Sequence, residues 1–427
     1  MKEIARETVV VLFNRDLRVG DHPALAEACA GARHVLPLFV LDPGMDARGR
    51  AGFLAECLAD LRASLRDRGG DLVVRRGDPA AEAVRLAREV NASAVWASAD
   101  VTAYARARER RLARDCERER LEFRLFPGVT VVPPGRLIPT GGDHYKVFTP
   151  YWRAWAGTRW RELVEAPERV SLPPGVEPGE LPEAEREPYV PGGESRVRRR
   201  MELWLRHGLE DYAAGHDDLA GDRTSRLSPY LHFGCVSPLE LARLGSRNEE
   251  FVRQLCWRDF YHQVTYAFPE ISRRDYRPRG RDWNEDKDVA QAWREGMTGI
   301  PIVDAGMRQL AAEGWMHNRA RLIVASYLTK TLGVDWRVGA DHFADLLLDA
   351  DVANNCGNWQ WMAGTGNDTR PNRVLNPIRQ ARKFDPEGEY VRRYVLELQS
   401  YPGGAVHEPW RLSRPVRGYP SPITAQA

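Results

Sequence analysis

Between Asp349 and Asp368 the chain reads DADVANNCGNWQWMAGTGND, with two acids two residues apart, four asparagines, a Trp-x-Trp pair and three glycines, and no run of core aliphatics. A polar group taken out of water must find a partner. A segment this polar beside two tryptophans therefore suits a polar, aromatic cofactor better than the role of a plain structural helix. Four other segments carry chemistry. DRTSRLSPYLHFG (Asp222 to Gly234) sets the hydroxyls of Thr224, Ser225 and Ser228 in a basic turn that suits phosphate, although Ser and Thr before a helix also serve as simple caps. RQLCWRDFY (Arg253 to Tyr261) places Arg253, Trp257 and Tyr261 on one helical face. Thr298 to Lys330 joins an aliphatic helix to the polar corner Trp315 to Arg321, and Arg370 to Tyr394 is a basic stretch suited to a nucleic-acid backbone.

The elements that must position these residues fall into two halves. Thr8 to Phe13 is a β-branched run of the kind found in fully buried parallel strands. Helix signals at 53–65, 80–90 and 104–119 then alternate with strand signals at 34–41, 72–75, 94–97 and 122–126, which predicts a doubly wound parallel sheet. The turn NRDLRVGD after the first strand has no GxGxxG, so the common dinucleotide fingerprint is absent. Residues 171–193, rich in Pro, Glu and Gly, read as an exposed linker. Beyond residue 195 the periodicity is helical, at 195–207, 249–266, 302–313, 319–332 and 338–348. The expected fold is thus an α/β domain over 1–130, a linker over 131–195 and an all-α domain over 196–427. Nine of the thirteen tryptophans lie in the helical half, where core packing accounts for most large aromatics.

Composition sets further bounds. A chain of 427 residues is long for one domain, and 43% apolar residues is ordinary for a soluble protein. No apolar run could cross a bilayer, and MKEIARETVVVLF lacks the features of a signal peptide, so a cytoplasmic protein is expected. The six cysteines show no metal-ligand spacing, and neither a metal nor a disulfide framework is expected. Only five of the 62 basic residues are lysine, which suits phosphate recognition but also follows from a GC-rich genome.

The five segments, in this order and at these intervals, closely resemble the photolyase/cryptochrome family, above all the class I photolyases that repair cyclobutane pyrimidine dimers. The resemblance runs from NRDLR to about Trp410, and GWMHNR, NNxGxWQW and KFDP are its most specific signals. It implies an α/β antenna domain joined to a helical FAD domain. It also implies a reaction in which excited reduced FAD gives an electron to a dimer flipped out of DNA, splitting it to monomers. Tyr212, Thr224, Ser225, Arg226, Leu227 and Ser228 match the positions that hold the FAD phosphates and ribityl chain. Asp349, Ala350 and Asp351 match those around flavin and adenine, with Arg321 as the partner of Asp349, and Asn355 matches the residue beside flavin N5, where an amide biases which reduced state persists. Trp359, Trp336 and Trp283 match the electron-transfer triad. Trp257 and Trp361 match the pair that stacks on the flipped dimer, Asn318 its polar neighbour, and Gln254, Arg258, Arg319 and Arg373 are further expected contacts with DNA.

Gln254 departs from the glutamate found there in many dimer photolyases and matches the six-four photolyases. Against that, the six-four enzymes have histidines where this chain has Asn318 and Leu322, while His317 is common to both groups, so cyclobutane dimers are the expected substrate. Arg50 and Asp100 resemble an 8-hydroxy-5-deazaflavin antenna pattern, although His232 replaces a lysine often present with it. Methenyltetrahydrofolate, a flavin or no antenna are the alternatives. A blue-light cryptochrome or a flavin oxidoreductase are the other readings of the chain. A monomer without an obligate protein partner is expected.

Overall fold

The structure is a computed structural model that describes residues 6–44, 49–183 and 187–424. The first five residues of the N-terminal stretch and residues 184–186 of the expected linker lie outside them. The chain packs as two compact units, Met1–Leu209 with Arg226–Pro269, and Glu210–Ser225 with Glu270–Ala427.

The first unit is built on strands β1 (Arg6–Phe13), β2 (Ala32–Leu41), β3 (Val73–Arg76), β4 (Ala94–Ser98) and β5 (Glu122–Phe126), connected by helices α1 (Pro23–Gly31), α2 (Ala51–Arg66), α3 (Pro79–Glu89) and α4 (Ala103–Arg118). All four ladders are parallel, as the alternation predicts, and the strand order is β3-β2-β1-β4-β5. β1 lies at the centre, and Val9 to Leu12 are fully buried because helices cover both faces of a parallel sheet. Local chemistry starts the helices: Asp78 accepts from the N–H groups of Ala80 and Ala81 ahead of α3, and Thr102 from that of Ala105 ahead of α4.

The stretch read as an exposed linker is instead strapped to the sheet. Val35 N–H donates to Ser171 O at 2.8 Å and Val74 N–H to Pro178 O at 2.7 Å, while Arg62 reaches Gly179 O at 2.9 Å. Unpaired backbone at a sheet edge needs partners, and a Pro- and Gly-rich chain supplies carbonyls as readily as any other. Within the same connector, α5 (Phe148–Gly157) buries Trp155, whose indole N–H donates to Asp259 Oδ2 at 2.9 Å. Helices α6 (Glu194–His207), α8 (Ser228–Phe233), α9 (Pro238–Leu244) and α10 (Glu249–Ala267) complete this unit; the one-turn α7 (Tyr212–Gly215) belongs to the other.

The second unit continues through α11 (Lys287–Arg294), α12 (Pro301–Glu313), α13 (Asn318–Ser326), α14 (Trp336–Leu346), α15 (Val352–Ala363), α16 (Pro377–Phe384) and α17 (Glu389–Tyr394). Where the periodicity predicts one helix to residue 332, α13 stops at Ser326 and a π-helical turn follows over Tyr327–Thr331. The polar segment after Asp349 is also a helix, α15, which the periodicity did not mark. Asp351 caps α15 by accepting from Asn354 N–H, and Gly364 ends it at φ 78°. Its polarity is compatible with a helix because only one face is packed. Trp359 is driven against α14 at Gly339, where a Cβ would stand 2.2 Å from the indole Cη2. Among the described residues no helix is long and apolar enough to cross a membrane.

Candidate functional site

Three helices of the second unit converge on one cavity. Asn318, Arg321, Leu322 and Ala325 of α13, Phe343 of α14, and Asn354, Asn355, Asn358, Trp359 and Met362 of α15 line it, with Leu347 and Asp349 from the turn between α14 and α15. Arg321 donates both terminal nitrogens to the Asp349 carboxylate, at 3.0 and 2.8 Å, and its Nε to Met316 O at 2.8 Å. This fork fixes the guanidinium plane and satisfies an acid whose side chain is only 5% exposed. Asn355 spends its Nδ2 on Ala340 O at 2.9 Å, and its side-chain carbonyl has no partner among the described residues. Lys330 holds the end of α15 by donating to Ala363 O at 2.7 Å and to Pro371 O at 2.6 Å, and burial, with Arg281 nearby, pulls its pKa down to about 8. Burial pushes the Cys356 thiol of α15 up to about 12, so it stays protonated and unreactive.

Trp359, which lines this cavity, packs against other aromatic side chains. Trp359 is 2% exposed and meets Phe343 at 5.0 Å and Trp293 at 5.9 Å between ring centroids. Trp336 is fully buried one turn before Gly339 on α14, and Trp283 is half-buried with Arg281 at 5.7 Å over its ring. Trp361 is half-buried on α15.

A family pattern described as the FAD binding domain of DNA photolyase matches residues 251–427, and one described as DNA photolyase matches residues 9–170. A deoxyribodipyrimidine photo-lyase of Streptomyces griseus is 51% identical over 97% of this chain and 95% of its own length. A cryptochrome DASH of Natronomonas pharaonis is 38% identical over 95% and 94%. A crystal structure of a class III photolyase from Agrobacterium tumefaciens superposes with TM-score 0.93 at 32% identity, covering 99% of this chain and 95% of that one. An archaeal photolyase from Sulfolobus tokodaii, solved with two FAD molecules, gives 0.89 at 31%, covering 98% and 96%. The chain belongs to the photolyase/cryptochrome family. These matches establish the family and its FAD-binding domain, not a class within it.

The residues present fit a flavin. The cavity offers an amide carbonyl without a partner at Asn355, a fixed guanidinium-carboxylate pair and indole and phenyl edges, which is the donor and acceptor set an isoalloxazine needs. Asp349, Asn355 and Arg321 line this one cavity together. Ala350 and Asp351 follow directly, both buried, with Asp351 occupied as the cap of α15. In the expected phosphate turn, Asp222 and Arg226 both adopt left-handed backbone, with φ 45° and 51°. Such strain in non-glycine residues clusters at ligand sites. Thr224 Oγ1 donates to Asp222 Oδ1 at 3.3 Å; Tyr212 and Ser225 lie with it in the second unit, and Arg226, Leu227 and Ser228 in the first.

The expected DNA contacts divide sharply. Gln254 is exposed on α10, and Trp257, half-exposed on the same helix, stacks on Phe148 with centroids 3.6 Å apart and planes 5° from parallel. Arg373 is exposed, without an ion-pair partner among the described residues. Two arginines read differently from the expectation. Arg258 is turned inward and donates to Val129 O at 2.6 Å and Leu231 O at 3.4 Å, with 11% of its side chain exposed, so its head is committed to carbonyls. Arg319 is bound by Asp217 at 2.7 and 2.6 Å and lies 4.3 Å over the Phe384 ring. Both were expected to contact DNA, and sequence gives charge but not direction.

The antenna residues lie in the first unit. Asp100 is at the carboxyl end of β4, where strand order reverses between β1 and β4, and is 3.3 Å from Arg15. That reversal is where open α/β sheets bind ligands. Arg50 is half-buried just ahead of α2. Sequence reasoning missed Phe148, Asn354, Asn358, Phe343 and Met362, of which the asparagines carried a signal, through their place in the polar segment.

Proposed function

We propose that this protein is a light-dependent DNA-repair enzyme, a deoxyribodipyrimidine photo-lyase that splits cyclobutane pyrimidine dimers. The observation that carries this reading is the lining of the α13–α15 cavity. Asn318 and Leu322 both face it, so the two positions that would be histidine in a six-four enzyme present an amide and an alkyl group. Proton transfer to a lesion from either position has no donor of suitable pKa. The 51% identity to a deoxyribodipyrimidine photo-lyase points the same way.

When bound, the flavin supplies the light-driven electron that opens the dimer. The protein's share is binding and geometry. Asn355 would offer its side-chain carbonyl to a flavin N–H, and Arg321 with Asp349 would orient the ring. Thr224, Ser225 and Ser228 hold the phosphates. A dimer must leave the duplex to reach a buried flavin, and a damaged base is cheaper to extrude. Trp257, its plane set by Phe148, offers a face on which the extruded lesion stacks, and Gln254 on the same helix offers an amide donor to a pyrimidine carbonyl. Arg373 and the exposed Arg370 and Arg379 take the backbone phosphates. Trp283, Trp336 and Trp359 relay electrons that keep the flavin reduced. An antenna chromophore at Asp100 and Arg50, 8-hydroxy-5-deazaflavin in the first instance, fits the strand reversal.

A second reading, a cryptochrome-type photoreceptor, draws on the 38% identity to a cryptochrome DASH. Illumination of the reduced protein with DNA carrying either lesion separates the readings. Loss of the cyclobutane dimer with monomers as product supports the proposal. Repair of the six-four lesion alone, or of neither, overturns it. Trp257→Ala should weaken lesion binding and leave the flavin in place.

A further inference from the structure

Trp336 is fully buried, and its indole Nε1–H donates to Asp275 Oδ1 at 2.9 Å. The neighbouring tryptophans are placed differently. Trp293 donates to the Val324 carbonyl at 3.1 Å, and the indole nitrogens of Trp359 and Trp283 make no hydrogen bond among the described residues. Trp336 alone of these four faces a base. The Asp275 side chain is 19% exposed, so it connects a sealed indole to water. Arg337 bonds Asp275 at 2.8 Å and Asp335 at 3.0 Å, and its guanidinium carbon lies 4.7 Å over the Trp336 ring. Asp275 and Arg337 touch the indole directly, and Asp335 reaches it only through Arg337, so this linked set of one cation and two carboxylates carries one net negative charge.

We propose that Asp275 is the proton acceptor that traps an electron vacancy on Trp336, away from the flavin. The inference rests on the reading of Trp359, Trp336 and Trp283 as the electron relay. Trp359, having given an electron to photoexcited oxidised FAD, takes one from Trp336. The Nε1 proton of Trp336 then passes to Asp275 Oδ1, which leaves a neutral indolyl radical and a neutral carboxylic acid, and the acid releases its proton to water. Negative charge beside the indole favours the vacancy there over Trp359. Loss of the proton then opposes its return, because the returning electron must wait for a proton. Neither a backbone carbonyl nor an absent partner can do this, which distinguishes Trp336 from Trp293 and Trp359. Asp275 acts through Trp336 and is a positioning residue.

Asp275→Asn keeps the shape and an acceptor oxygen but removes the charge and the basicity. In the dark, with FAD bound, the Trp336 indole N–H proton resonance, assigned by its absence in Trp336→Phe, should move upfield as the hydrogen bond loses its charge. Under light, the yield of long-lived tryptophan radical should fall about tenfold, the scale of losing a nearby unit charge, and the residual radical should absorb as the protonated cation. Trp336→Phe separates the two layers of the argument. Full photoreduction in that variant overturns the relay reading and the proposal with it. A block in Trp336→Phe with wild-type yield and a neutral radical in Asp275→Asn overturns the role of Asp275 alone. Wild-type protein in deuterated water needs no variant: decay of the cation signal should slow, and an unchanged decay also overturns the proposal.

Discussion

Asp16 and Asp259 are both sealed inside the first unit, yet the two carboxyls depart from the ordinary value in opposite directions. For Asp16, burial is outweighed by the His22 imidazole 2.9 Å away and by hydrogen bonds from Ser98 and the Asn14 N–H, which bring the pKa down to about 2. For Asp259, burial wins over Arg258, Trp155 and the Val132 N–H, and the pKa rises to about 6. The signs follow from proton uptake. The Asp16 contribution, about 2 kcal/mol, is complete above its ordinary 3.8 and is lost as pH falls towards 2. Between about 6 and 3.8 the folded state holds the extra proton at Asp259, so that group adds stability as pH falls. Urea midpoints measured from pH 7 to 4 should lose this rise in Asp259→Asn, whereas Asp259→Ala should cost about 2 kcal/mol by leaving the Val132 and Trp155 donors unpaired. In the second unit, Arg321→Ala should cost about 3 kcal/mol by stranding the Asp349 carboxylate, and flavin content measured by absorbance should fall with it. The Arg321–Asp349 pair was legible in the sequence through the family resemblance. The Asp16–His22 pair was not, because nothing in NRDLRVGDH says which of its polar side chains turn inward.

At the scale of elements, α14 and α15 are joined by a close approach that depends on one absent side chain. A Cβ at Gly339 would meet Trp359 Cη2 at 2.2 Å, Cζ3 at 2.5 Å and Cζ2 at 2.7 Å, so the indole must shift in Gly339→Ala. Overpacking of this kind costs about 1–3 kcal/mol. Near-UV circular dichroism should change along with the melting temperature, since the displaced ring is a tryptophan. An unaltered aromatic spectrum would contradict the contact. The sheet strands and the helices α2, α3 and α4 were legible to within two residues, because burial on both faces and amphipathic periodicity leave strong traces. The helix α15 left no periodic trace because its polar residues line a cavity, and a cavity is made by α13 and α14 as much as by α15 itself.

For the whole molecule, charge on the surface and charge in pairs must be told apart. Arg373 is exposed and outside any described ion pair, whereas Arg319 is held by Asp217. Removing a phosphate contact should lower the slope of log affinity against log salt by about 1. DNA titrations at several salt concentrations should show this for Arg373→Ala. Arg319→Ala should leave the slope unchanged and lower the melting temperature instead.

The sequence by itself determined the parallel sheet, the helical second half, the family and the identity of the polar residues around the cavity, since alternation, periodicity and motif spacing are properties of neighbouring positions. Only the tertiary structure decided that Arg258 points inward, that residues 171–179 strap the sheet, that Phe148 backs Trp257 and that Asp275 meets Trp336. Each of these joins residues far apart in the chain or depends on the direction of a long side chain, and neither distance in space nor direction is written in local pattern.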